Sequence, residues 1–244
     1  PMMANLTLSI DDDLLQRAAA AAGGDTTCVD RVAFAAEGLK NAQQYIALRE
    51  AMNVGDFAQA KRTYDALLAR SEANLPQGQG NHYTVAYLKR FVGAHVEAGA
   101  QATQAPARVL QVLPDEWRLA YDLSDTGLAS GFQRRDFDDR SWTPVATFSD
   151  PLDAQSLPDR QTIMWYRVTI DVPEPGRKPA LFFTEVDGDA RVWINGQEVG
   201  ASEKKRTPFA LDAGGALKSG QNVIAVRVDH SSITDLYLGG ILRP

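Results

Sequence analysis

Near residue 100 the spacing of apolar side chains changes from a helical period of 3.6 to a strand period of 2, and one element cannot carry both. The chain therefore reads as α+β and multidomain, with an N-terminal α-helical bundle followed by an antiparallel β-sandwich. Asp11, Asp12 and Asp13 are placed to cap a helix from Leu14 to Ala22, and Gly23-Gly24 ends it. From Val29 to Met52 a second helix carries two apolar stripes, one of Val32, Ala35, Leu39, Ala42 and Ile46, the other of Phe34, Gly38, Tyr45, Leu48 and Met52. Two stripes imply more than one packing partner. Asp56 is the N-cap of a third helix through Phe57, Ala60, Tyr64, Leu67 and Leu68. After a polar break at 76–80, a last helix is marked by Val85, Leu88, Phe91, Val92 and Val96. These elements assign 1–98 to the bundle, the small, polar, proline-containing stretch 99–107 to a linker, and 108–244 to the sandwich.

Past the linker, strands are predicted at 108–112, 116–122, 163–172, 180–186, 190–194, 207–211 and 222–229, separated by loops rich in Gly, Pro, Asp and Ser. Asn195-Gly196, between Val192-Trp193-Ile194 and Glu198-Val199, signals a type I′ hairpin. Many short antiparallel strands with such turns make a β-sandwich or jelly roll.

Composition narrows the partners. Among 244 residues, 25 Lys+Arg stand against 31 Asp+Glu, a net charge of -6 that does not suit neutralising phosphates, so nucleic acid is not expected as a partner. The segment Leu6 to Ala18 resembles the opening strand and first helix of ribbon-helix-helix DNA-binding proteins, and a DNA-binding regulator is one alternative function. Its outward positions Thr7, Ser9 and Asp11 offer phosphates no cation. The single Cys28 has no intramolecular partner, and three histidines, His82, His95 and His230, are too few for a zinc cluster. His82 and His95 read as surface or structural, and Cys28 as a partly buried thiol. No apolar run reaches the ~18 residues of a membrane span, so no membrane partner is expected. The first residues show no signal peptide, and Gly239 to Pro244 reads as the middle of a strand, as in a fragment of a longer protein.

The ordered strings Asp136-Phe137-Asp138-Asp139-Arg140-Ser141-Trp142, Met164-Trp165-Tyr166-Arg167, Phe183-Thr184-Glu185-Val186-Asp187, Ala190 to Gly200, Thr207-Pro208-Phe209, Leu217 to Asn222 and Gly239 to Pro244 carry a resemblance. Together, over about residues 115–244, they resemble the sugar-binding, galactose-binding-like jelly-roll domain of glycoside hydrolase family 2, the β-galactosidase and β-glucuronidase group. Residues 29–97 resemble the helical segment of large bacterial glycoside-hydrolase-like proteins. What the resemblance implies is an accessory module of a larger polysaccharide-degrading protein, secreted or periplasmic, whose catalytic carboxylates sit in a barrel elsewhere. Such a barrel takes ~250 residues, which this chain cannot hold beside its two regions. No catalytic residue is assigned to the chain itself. Carbohydrate and a catalytic domain of the parent protein are the expected partners, with a purely structural module that never touches sugar as the second alternative.

Sugar binding calls for an aromatic face and planar polar groups. The candidates are Trp165, Arg167, Asp187, Asp189, Arg191 and His230. Trp165 and Tyr166 alternate along one strand, so one of them is expected at solvent or an interface. Asp187-Gly188-Asp189 crowds two carboxylates onto one turn and is the candidate for calcium, with no other cofactor expected. Arg167 is expected either at sugar or in a salt bridge with Asp187. Asp138 and Asp139 read as the fixings of a loop with Trp142 as its plug, rather than as an acid pair.

Overall fold

A computed structural model describes residues 12–75, 82–147, 154–158, 161–231 and 242–243, with backbone alone at 12–13, 82–83 and 242–243. The ribbon-helix-helix-like strand before residue 12, the string 239–241 and the side chain of His82 lie outside the described residues. The chain divides into two compact units, Pro1–Ala100 and Gln101–Pro244.

In the first unit, α1 (Asp12–Ala21) ends where Gly23 and Gly24 take φ of +58° and +84°. Helix α2 (Thr26–Asn53) starts three residues before the periodic pattern does, because the Asp25 carboxylate accepts from the amides of Thr27 and Cys28 at 2.8 and 3.3 Å. Cys28 is therefore exposed on a first turn, not partly buried as predicted. Asp56 caps α3 (Phe57–Asn74) by accepting from the Gln59 amide at 2.9 Å. The last predicted helix is broken into α4 (His82–Tyr87), a π turn (Leu88–Val92) and α5 (Gly93–Ala102), the last continuing into the segment read as linker.

The core of this unit is Leu48 and Ala51 of α2, Ala60, Tyr64 and Leu67 of α3, and Leu88, Val92 and Val96. Of the two predicted stripes on α2, only the C-terminal part of the second joins this core, as Tyr45, Leu48 and Met52; its Phe34 is exposed, as is Ile46 of the first. Glu37 accepts from both arms of Arg70 at 2.8 Å and from Asn74 at 2.9 Å, tying α2 to α3. Desolvation works against its charge, but these donors and Lys40 outweigh it and hold the carboxyl below its ordinary range. Gly99 is where α5 meets Phe57: a Cβ there would stand 2.1 Å from the ring's Cδ1. Gly99→Ala is therefore expected to cost about 1–3 kcal/mol by overpacking, read as an earlier loss of far-ultraviolet helix signal on heating.

The second unit holds β1 (Glu116–Asp122), β2 (Thr143–Ala146), β3 (Ile163–Val172), β4 (Ala180–Phe183), β5 (Glu185–Val186), β6 (Asp189–Ile194), β7 (Gln197–Ser202), β8 (Phe209–Asp212), β9 (Gly220–Asp229) and β10 (Leu242–Arg243). Six of them form one antiparallel sheet in the order β2-β1-β3-β9-β6-β7, and β4 pairs with β8 and β5 with β10. The stretch predicted as a strand at 108–112 is not one; Val109, Leu110 and Val112 are exposed there. The predicted strand 180–186 is split at Thr184, so its two parts join different partners. Strand β2, which pairs with β1 across Pro144, was not predicted at all.

One face of the large sheet points Leu119, Met164, Tyr166, Val168, Val192, Ile194, Ile224 and Val226 at Leu181, Phe183 and Val186 of the smaller pairs. That is the main core. The first six residues of β3 are all buried, which an alternating strand shows only when both of its faces are covered.

Candidate functional site

The second face of the sheet is where the recognisable strings converge. On it, Trp165 of β3 lies opposite Ala120 of β1 and Arg227 of β9, and Trp193 of β6 lies opposite Ala225. The two indoles stack, with centroids 5.2 Å apart and planes 27° apart. Above them lies the loop 123–142, which leaves β1 and returns to β2, folding Phe132, Phe137 and Trp142 onto the sheet. Phe132 meets Trp165 edge-on at 5.8 Å and Trp142 at 4.9 Å.

Two charged residues fasten this cover. Asp122, buried at the end of β1, accepts from the amides of Thr126 and Gly127 at 2.9 and 2.7 Å and from Nε1 of Trp165 at 3.1 Å. Gly127 must be glycine, since a Cβ would stand 2.5 Å from both Phe132 and Trp165. Arg167, 1% exposed, donates Nε to Asp139 at 2.8 Å, Nη1 to the carbonyls of Phe132 and Arg134, and Nη2 to that of Phe137. Its guanidinium also lies over the rings of Phe137 and Trp142, at 5.4 and 5.9 Å.

These contacts correct two expectations. Neither Trp165 nor Tyr166 faces solvent, at 0 and 1% exposure, because a loop with no strand period covers the face that alternation left open. Arg167 pairs with Asp139, not with Asp187. Asp138 and Asp139 do point apart: Asp138 turns outward to a bidentate pair with Arg140, at 2.8 and 2.6 Å. That side-chain pairing, with the Arg140 amide, holds the Asp138 carboxyl down at about 2. A lowered pKa means the pair is whole above the ordinary 3.8 and is lost as pH falls toward 2. The carboxyl carbon resonance of Asp138 should show that low midpoint, rising when salt screens the pair.

The remaining candidates gather at the turn between β5 and β6. Asp187, 5% exposed, accepts from Nη2 of Arg206 at 2.8 Å, so the last residue of the basic run Lys204-Lys205-Arg206, expected in a solvated loop, is instead a structural partner. Its main-chain oxygen lies 3.0 Å from Nδ1 of the buried His230, whose own amide donates to Thr162 at 3.1 Å. Gly188, at φ +143°, lets the turn pass 2.8 Å from the Asp229 carbonyl, measured from where a Cβ would be. Asp189 begins β6 opposite Asp229. Arg191 is pinned to Glu198 of β7 at 2.7 Å and lies over the Trp193 ring at 5.2 Å.

The structure thus places Trp165 and Arg167 under the cover, Arg191 beside them in the cross-strand row of Trp165, and Asp187, Asp189 and His230 at the β5-β6 turn, where Asp189 shares the row of Asp229 and Ile163. For calcium, Arg206 already neutralises one carboxylate of the Asp187-Gly188-Asp189 turn. Among the described residues no group of three or more His, Cys, Asp or Glu stands close enough to hold a metal ion. Asp122 was read only as the end of a strand; a buried Asp there is a signal, but it shows only once the strand's second face is known to be covered.

Residues 103–239 match the family model described as glycosyl hydrolases family 2, sugar binding domain. Among curated relatives, a β-galactosidase of Arthrobacter sp. (strain B7) is 30% identical over 118 residues, covering 38% of this chain and 12% of that protein. A β-galactosidase of Enterobacter cloacae is 29% identical over 122 residues, covering 48% of this chain and 12% of that protein. The chain therefore spans about an eighth of the length of these relatives. Among solved structures, a β-glucuronidase from Ruminococcus gnavus in complex with D-glucuronic acid aligns with a TM-score of 0.41 and 21% identity, covering 49% of this chain and 21% of that one. With the family model matching more than half of its residues, the chain belongs to glycosyl hydrolase family 2, through that family's sugar binding domain.

Proposed function

We propose that the chain is a non-catalytic, domain-organising module of a larger family 2 glycoside hydrolase, its β-unit a galactose-binding-like jelly roll. One observation carries this reading: the residues of the most recognisable strings, Trp165, Arg167, Asp139 and Trp142, are spent on sealing the sheet rather than lining an open cleft. An active site that cleaves a glycosidic bond needs two carboxylates across a substrate-sized gap. Asp138 and Asp139 instead turn to different arginines, and Asp187 is occupied by Arg206. Of the six candidates, Asp189 and Arg191 are the two that are not buried, so sugar contact by any of the six falls to them, with Asp187 and His230 holding the turn. A calcium ion at Asp187-Gly188-Asp189 would have to displace Arg206, and calcium titration followed by the thermal midpoint checks that proposal.

The test of the main reading is a panel of nitrophenyl glycosides, including β-galactoside and β-glucuronide. No release is expected from the chain alone. Turnover abolished by Asp187→Asn or Asp189→Asn would overturn the reading. Binding of the chain to the remainder of its parent protein, with no glycan retained on an oligosaccharide array, would favour the purely organising role over the sugar-binding one.

A further inference from the structure

Helix α2 outruns α3. Its Glu37 takes Arg70 and Asn74 at the far end of α3, so residues 26–36 run on past that neighbour. One side of α2 is left open along this stretch and beyond it. Phe34 is 54% exposed, Gly38 is exposed, and Ala42 and Tyr45 carry the strip on at helical spacing, half-buried. The Tyr45 ring lies 6.4 Å from that of Tyr87, which lies 5.4 Å from that of Phe91, so the strip crosses to the π turn and ends on a ring that is 47% exposed.

Nothing among the described residues requires glycine at 38. A glycine weakens a helix interior, and a Cβ there would meet nothing within 4 Å. What Gly38 does provide is a low point between Phe34 and Ala42 into which the ridge of a second helix can settle.

The rim of the strip is cationic. Arg31 stands one turn before Phe34, Arg49 one turn after Tyr45, and the Arg90 guanidinium lies 5.0 Å from the Phe91 ring centre. Among the described residues no carboxylate pairs with any of these three, whereas Arg70 of the same unit is held by Glu37. Asp30 precedes Arg31 and Glu50 follows Arg49, and the helical step of about 100° sets those two carboxylates on opposite flanks. A flat anionic membrane would meet both of them. A single helix, about 10 Å wide, passes between them, and α2 rises about 27 Å from Arg31 to Arg49, the length of an 18-residue helix.

We propose that this face docks an acidic amphipathic helix of a protein partner, its apolar ridge seated over Gly38 and its edge carboxylates on Arg31, Arg49 and Arg90. The surface lies outside residues 103–239 and is independent of any sugar-associated role. The probe is a synthetic helical peptide of about 18 residues with a leucine ridge and glutamates along both edges. It is titrated into the whole chain and followed by amide and guanidinium NMR, beside a counterpart with lysine at every glutamate and vesicles of phosphatidylglycerol. The acidic peptide should shift the Gly38 amide and the three guanidinium groups, and added salt should weaken it. The lysine peptide should bind about tenfold or more weakly. Arg49→Gln and Arg90→Gln should each cost about two- to fivefold, as exposed pairs do, and Arg62→Gln, exposed on α3, should cost nothing. Gly38→Leu should abolish binding while the far-ultraviolet helix signal and thermal midpoint hold or rise, which a merely structural glycine would not do. Equal binding of the lysine peptide, undiminished binding to Gly38→Leu, or binding to vesicles without binding to the peptide would each overturn the proposal. A dimer in sedimentation that Gly38→Leu splits would give the face to a second copy, and peptide binding that appears only once residues 1–11 are deleted would give it to the chain's own start; either result overturns it too.

Discussion

Arg167→Met should destabilise the β-unit by about 3–5 kcal/mol, the usual cost of removing one partner from a buried ionic network. The methionine fills much of the space but leaves Asp139 and the carbonyls of Phe132, Arg134 and Phe137 without their donor. Arg167→Lys should recover only a part of the loss, because one ammonium cannot reach acceptors spread around a planar fork. In Arg167→Met/Asp139→Asn the stranded carboxylate is neutral and some stability should return, while the three carbonyls stay unmet. Urea unfolding followed by tryptophan emission measures this unit alone, since Trp117, Trp142, Trp165 and Trp193 are the chain's four tryptophans and all lie in it. A loss below about 1 kcal/mol would mean that water replaces the guanidinium and that the loop is not pinned by it.

Trp165→Ala should be comparably severe, about 3–5 kcal/mol for a fully buried aromatic. The removed indole stacks on Trp193, meets Phe132 edge-on and donates to Asp122, so the gap lies between the sheet and its cover. Trp165→Phe separates these contributions. It keeps a ring in the stack and loses the Nε1 bond, and should cost about 1–3 kcal/mol, set mainly by the Asp122 oxygen losing a donor. Partial rescue of the alanine variant by free indole, seen as a rise in its thermal midpoint, would show that the cavity keeps its shape. If phenylalanine proves as damaging as alanine, the hydrogen bond to Asp122 matters more than the stack.

What was legible in the sequence was what short-range chemistry decides. Asp56 as a cap, Gly23-Gly24 as a stop and Asn195-Gly196 as a left-handed turn all stand where local geometry put them. Strands β3 and β9 were readable because ten-residue runs of alternating or β-branched residues leave little choice. Asp25 was overlooked because the helix signal was taken from the apolar pattern, which starts four residues later. Which part of the α2 stripes would pack depended on α3 and the π turn, and no period within α2 encodes that. The sheet's second face was misread for the same reason. Alternation along β3 reports how side chains point, whereas the cover comes from a loop whose Phe132, Phe137 and Trp142 follow no period. Choosing Asp139 over Asp187 as the partner of Arg167 likewise needed three-dimensional neighbours, since either aspartate satisfies the charge.

The sealed face also bears on how the family's sequences diverge. Once Arg167 and Trp165 hold the cover shut, selection for folding alone is enough to retain them, along with Asp122, Gly127 and Trp142. Descendants that gain, lose or exchange a ligand elsewhere on the module would still need these strings in order to fold. Inherited likeness in these strings then records the module's architecture and not what it binds.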